Sequence, residues 1–147
     1  MSHDLERFVT AQDTAGTYDA ALRELRQGRK RGHWMWFVFP QLAGLGRSST
    51  ARHYALADLS EAVAYLAHPV LGPRVRECAR ALTHLSTTDP VAVLGGIDAQ
   101  KLHSSMTIFA RAAPEEPVFR EVLEKYFDGS LDEGTLGLLP PGAPGIT

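Results

Sequence analysis

Apolar residues recur along this chain at three- and four-residue intervals, the spacing that gathers them on one face of an α-helix. Leu5, Phe8 and Val9, with Gln12, form such a stripe, and Asp4 offers a side-chain acceptor where that helix would begin. Thr17 stands where it would cap a second helix carrying Tyr18, Ala21, Leu22 and Leu25 on one face, and Gly28 where it would end it. Asp58-Leu59-Ser60-Glu61 has capping-box spacing ahead of Ala62, Val63, Tyr65 and Leu66, and His68-Pro69 closes that helix. Leu71, Val75, Cys78, Ala79, Leu82 and Leu85 line a longer helix whose opposite face carries Arg74, Arg76 and Arg80. Asp89-Pro90 reads as a cap followed by a first-turn proline.

The pattern continues to the far end. A helix over about Asp98 to Arg111 buries Leu102, Met106, Ile108 and Phe109; another carries Val118, Val122, Leu123, Tyr126 and Phe127 and stops at Asp128-Gly129. Asp132 to Leu139 gives a last short helix, and residues 140–147, opening Pro140-Pro141-Gly142, read as a Pro/Gly-rich tail. Only Trp34 to Phe39 resembles a strand, and a lone strand would lack a partner; a short buried helix stopped by Pro40 fits it better. The expected fold is all-α: one compact domain over residues 1–139, an irregular array of about seven to nine short helices.

Composition narrows this little. With 147 residues, 44% apolar and 22% charged, the chain is long enough for one real core and ordinary for a globular domain. One cysteine, Cys78, excludes a disulfide framework and a Cys-rich zinc site, and its place on an apolar helix face reads as buried and inert. The six histidines show no helical zinc-clamp spacing, so no metal and no cofactor is expected. No Gly-x-Ser-x-Gly elbow supports a Ser-His-Asp hydrolase. The start of the chain lacks a secretion signal and the longest apolar run is far below the ~20 residues that cross a bilayer, so the expectation is a soluble, cytoplasmic monomer with no membrane partner.

Charge changes the picture locally. The formal net charge is only -2, yet between Arg23 and Arg31 five basic side chains face a single acid, Glu24. A protein gripping long nucleic acid would be more basic throughout, whereas a small anion needs only a patch. This patch runs directly into both tryptophans, in Gly28-Arg29-Lys30-Arg31-Gly32-His33-Trp34-Met35-Trp36-Phe37-Val38-Phe39-Pro40-Gln41. Cationic groups beside large apolar ones suggest a pocket with apolar walls and a charged rim. Lys30 and Arg31 would hold a phosphate or carboxylate, with His33 beside them, and Trp34 or Trp36 would stack on a planar ring. The plainer alternative is a helix C-terminus favoured by its dipole, with both indoles in the core.

Two further segments join the candidate site. Gln41-Leu42-Ala43-Gly44-Leu45-Gly46-Arg47-Ser48 would offer Gln41, Arg47 and a nest of N–H groups near Ser48, or would be a glycine turn with Ser48 or Ser49 as an N-cap. On the later helix, Asp98 and Lys101 lie one turn apart, followed by Ser104 and Ser105. Lys101 would bind an anion, Asp98 would orient it or act as a base, and the serines would donate hydrogen bonds; alternatively Asp98 caps its helix and pairs with Lys101 on a solvated face.

Leu5-Glu6-Arg7-Phe8, the Gly28 to Gln41 run, Gly44 to Ser48, Tyr65 to Pro69, Leu71 to Arg74 and Asp98 to Thr107 resemble the small bacterial family filed as domain of unknown function 1810, over about Asp4 to Leu139. The resemblance implies a mainly helical single domain and no established activity. The stretch Asp13 to Thr17 departs from it, where a shorter, proline-containing link is the family pattern. A looser similarity, carried by the Trp-bearing segment and the Asp-x-x-Lys helix, is to helical glycosidases of NAD- and ADP-ribose-type compounds. Two functions follow as expectations: a binder of a small phosphorylated ligand, nucleotide or ADP-ribose-like, that would hydrolyse an N-glycosidic bond through Asp98 if it is an enzyme; or a non-catalytic module whose basic patch docks an acidic protein or RNA.

Overall fold

Glu6–Asp13 (α1), Thr17–Gln27 (α2), Met35–Val38 (α3), Ser49–His53 (α4), Leu59–Ala67 (α5), Leu71–His84 (α6), Pro90–Leu94 (α7), Gly96–Ala112 (α8), Pro117–Phe127 (α9) and Glu133–Leu138 (α10) are the α-helices of the computed structural model. The structure describes residues 4–139, so the expected tail lies outside the described residues. No strand occurs among them; one isolated bridge pairs Leu42 with Leu56.

Helix ends follow local chemistry. Asp58, Asp89 and Asp132 each accept a backbone N–H of the first turn, as does Ser48 at the start of α4. Gly28 ends α2 with a φ of +77°, and Asp128 and Gly129 end α9 with φ of +53° and +77°. Two caps differ from expectation. Asp4 does not cap α1: the N-cap is Leu5, one residue later, and no side chain accepts a first-turn N–H there. Thr17 is already helical: Thr14–Gly16 forms a 3₁₀ turn with Ala15 and Gly16 at positive φ, which swings the chain directly into α2.

The core sits around α8. From Ser104 to Ala110 every residue of this helix is buried, so it is covered all round. It packs against α5, α7, α9 and α10, while α6 packs against α2, α5 and α9. Phe8, Tyr65, Phe109, Phe119 and Leu102 are wholly buried there, each apolar side chain contributing about 1.5–3 kcal/mol of burial. Cys78 is inside too, its thiol pushed up to about 12 by burial. Arg74 and Arg76, expected on an outward face of α6, instead tie helices together: Arg74 to Gln12 and Asp13, Arg76 bidentately to Glu116.

One structural tie bears on the site. Arg7 donates to the carbonyls of His53 and Ala55 at 2.8 Å and pairs with the buried Glu61. That fixes the chain entering Leu56, whose N–H donates to the Gln41 carbonyl at 2.9 Å and whose carbonyl accepts from Ala43 N–H at 2.7 Å. The segment after Pro40 is thereby held in one course without any helix or sheet of its own.

Candidate functional site

The loop from Gly28 to Trp34 is organised by Glu24. A single oxygen, Oε1, accepts from Arg31 N–H at 2.7 Å, Gly32 N–H at 3.0 Å and the Trp34 indole N–H at 2.8 Å. Burial acts to raise the Glu24 carboxyl, but these donors and Lys30 together hold it below its ordinary value. Trp34 is 1% exposed and belongs to the core. Lys30 is anchored as well, through its N–H to the Val93 carbonyl at 2.8 Å and its ammonium to the Gly32 carbonyl.

From there the Lys30 ammonium reaches Asp98 Oδ2 at 2.8 Å, while Lys101 reaches Asp98 Oδ1 at 3.1 Å. The Lys101 ammonium also lies 3.6 Å from the centroid of Trp36, a close cation–π contact. Burial would raise the Asp98 carboxyl; the two lysines outweigh that and hold it below 3.8. Two cations around one anion leave this cluster with a net charge of +1.

A cavity of about 780 Å³ opens beside the cluster. Trp36 comes from α3; Gln41, Leu45 and Gly46 come from the segment after it. Gly96, Ile97, Gln100, Lys101 and Ser104 come from α8, and Asp132 and Gly134 from the start of α10. The size suits a small organic ligand, and the wall mixes apolar surface with few polar groups. Gly46 is dictated by close approach: a Cβ there would stand 2.5 Å from that of Ala51 and 3.4 Å from Gln41 Nε2.

Most polar groups of the wall already have partners. Asp132 is buried, and its carboxylate accepts from Gln100 Nε2 at 2.9 Å, Thr135 N–H at 3.0 Å and Thr135 Oγ1 at 2.6 Å. The Ser104 hydroxyl lies 3.1 Å from Asp132 Oδ2 and 3.2 Å from the Gln100 carbonyl, its one proton shared between them. Burial acts to raise the Asp132 carboxyl, and the donors from Thr135, Ser104 and Gln100 lower it below its usual value.

The structure therefore brings Trp36, Gln41, Lys101 and Ser104 to one cavity, with Lys30 and Asp98 directly behind Lys101. It places the remaining sequence candidates elsewhere. Trp34 has no wall to offer because its ring is enclosed and its N–H is held by Glu24. Arg31, His33 and Arg47 are exposed outside the lining, and Ser48 caps α4 through Ala51 N–H at 3.1 Å. Ser105 points away from the lining and is wholly buried, its Oγ without a partner among the described residues. Asp98 lies inside α8, which begins at Gly96, so it does not cap that helix, and its pair with Lys101 is largely withdrawn from water.

Sequence reasoning missed Glu24, Ile97, Gln100, Asp132 and Gly134. One signal was available: Ile97, Gln100, Lys101 and Ser104 fall at helical spacing, so the stripe that faces the cavity is written on α8. Among the described residues, no group of three or more His, Cys, Asp or Glu is placed to hold a metal, and no helix is long and apolar enough to cross a membrane.

These features define a small all-helical domain, wound about one central helix, with a lateral cavity where two irregular segments meet that helix. The chain belongs to the DUF1810 family, described as a protein of unknown function, whose model matches residues 2–139. It is similar to the conserved hypothetical protein Rv1873 from Mycobacterium tuberculosis, known from a crystal structure. The two chains are 49% identical, the match covers 92% of this chain and 96% of that one, and the TM-score is 0.89. No curated protein matches it.

Proposed function

We propose that the protein binds a small phosphorylated ligand, of nucleotide or ADP-ribose type, in the cavity between α3, the segment 41–46, α8 and α10. The observation that supports this most directly is that four residues singled out from three separate stretches of sequence, Trp36, Gln41, Lys101 and Ser104, line one concavity. The Lys30–Asp98–Lys101 cluster adds one net positive charge beside it, offset by the Asp132 carboxylate in the wall, so a phosphate group is favoured locally at Lys101 and not by the cavity's overall charge. Trp36 supplies an aromatic wall, one face of which is already taken by the Lys101 ammonium. Arg31 and Arg47 are not part of this wall, so phosphate recognition rests on Lys101.

Hydrolysis of an N-glycosidic bond would use Asp98. Asp98 stands behind Lys101, outside the cavity lining, with one oxygen on each lysine, so that step would first require a lysine to release it toward the sugar. The alternative, a module docking an acidic protein or RNA, draws on the exposed Arg23, Arg26, Arg29 and Arg31. Lys30, withdrawn into its pair with Asp98, and Trp36, at the cavity, weigh toward the small ligand.

Calorimetric titration with AMP and ADP-ribose tests the reading. Binding is expected, and Lys101→Met should weaken it by roughly tenfold or more through loss of a charge-assisted contact. Silence of the unaltered protein at millimolar ligand would defeat the proposal, as would undiminished affinity in the variant.

A further inference from the structure

Gln41 differs from every other polar group in the cavity wall. Its side chain is nine-tenths buried, at 9% exposure, and lines the cavity, yet neither end of its carboxamide has a hydrogen-bond partner among the described residues. The carboxamide is not sealed off, since Ser105 Oγ is the wholly buried side-chain polar atom that lacks a partner among the described residues, so the Gln41 donor and acceptor stay available toward the cavity. The neighbours do not share this condition: Ser104 has committed its proton, Gln100 its amide nitrogen, and Lys101 is held by Asp98 and Trp36. The Gln41 backbone is also fixed, by the Leu56 N–H on its carbonyl and by the Ala43 bond that follows. Gly46 lies against its Nε2, at a point where any side chain would intrude. The amide is thus presented from a stationary base into an open volume.

A primary carboxamide offers one donor and one acceptor side by side in a plane. Its natural complement is a planar group with an adjacent acceptor and donor, met by two parallel hydrogen bonds. We propose that Gln41 is the specificity residue of the cavity and reads the donor–acceptor edge of a planar ring, either a nucleobase such as adenine or an aryl carboxamide. This rests on the cavity being the binding site. It assigns the ring end of the ligand to Gln41 and leaves the phosphate end to Lys101, so the two ends are separately testable.

Three probes that share a ribose 5-phosphate unit distinguish the possibilities: AMP, nicotinamide mononucleotide and ribose 5-phosphate itself, each titrated into the unaltered protein. The expected result is that AMP or nicotinamide mononucleotide binds about ten- to a hundredfold tighter than ribose 5-phosphate, the difference one bidentate pair makes. Whichever of the two shows the gain identifies the source of the edge. In Gln41→Leu the gain should vanish while the weaker phosphate-dependent binding persists; a thermal melt checks that the variant is folded. Equal affinity for all three probes would overturn the role of Gln41 while leaving the cavity reading intact, and so would a gain that survives in Gln41→Leu. Absence of binding by every probe at millimolar concentration would overturn both. The comparison of probes on the unaltered protein holds even if the leucine variant does not fold.

Discussion

Oε1 of Glu24 accepts three hydrogen bonds at 3.0 Å or less, from two consecutive backbone N–H groups and the indole of Trp34. Without that oxygen the loop Gly28 to Trp34 would keep two N–H groups and a buried indole unpaired, and Lys30 would lose the course that brings it to Asp98. Glu24→Ala should therefore destabilise the protein by about 2 kcal/mol, and Glu24→Gln, which keeps an acceptor but not the charge, by about 1 kcal/mol. Urea unfolding curves measure both; an alanine variant within about 0.5 kcal/mol of the unaltered protein would show that the loop is held otherwise. This residue also explains a limit of the sequence reading. Trp34 and Trp36 stand two apart, which sets them on different faces of a short helix, but spacing alone does not say which face is wall and which is core. What separates them is a partner ten residues upstream of Trp34, and such a partner leaves no periodic trace.

At the scale of elements, what was legible is what local physics decides. The stripes of α2, α5, α6, α8 and α9 were readable because a buried helix face must repeat near 3.6 residues, and Asp58 and Asp89 were readable because an N-cap needs a short polar acceptor. The segments 28–34 and 41–46 were located but not shaped, since their courses depend on Glu24 and Leu56. Asp98 joins one of those segments to α8 through Lys30 and Lys101, with a side chain only 19% exposed. Asp98→Asn leaves two ammonium groups facing a neutral amide and should cost about 1–3 kcal/mol at pH 7. The pH dependence has a definite sign. A carboxyl held below 3.8 when folded contributes stability that is complete above that value and is lost as pH falls through the lower, folded value. The gap between the unaltered protein and Asp98→Asn should hold constant from pH 7 to about pH 4 and close below pH 3.8. A gap that stays level into acid, or that opens there, would mean the two lysines do not depend on this carboxylate.

Taken as a whole, the molecule places its two tryptophans in different compartments. Trp34 is sealed at 1% exposure among core residues, while Trp36 stands at a cavity formed only where α3, the segment 41–46, α8 and α10 meet. The cavity is thus a property of tertiary assembly: no single element encloses it, and the seam with α10 is closed by Asp132 reaching back to Gln100 and Ser104. Single-tryptophan variants separate the two reporters. With Trp34→Phe, the remaining Trp36 should be readily quenched by acrylamide, and AMP should protect it by filling the space beside it. With Trp36→Phe, the remaining Trp34 should resist the quencher, and AMP should leave its emission unchanged. Ligand protection of Trp34 rather than Trp36 would place binding at the basic loop instead of the cavity, because only a ligand seated against Glu24 and Lys30 lies near that indole.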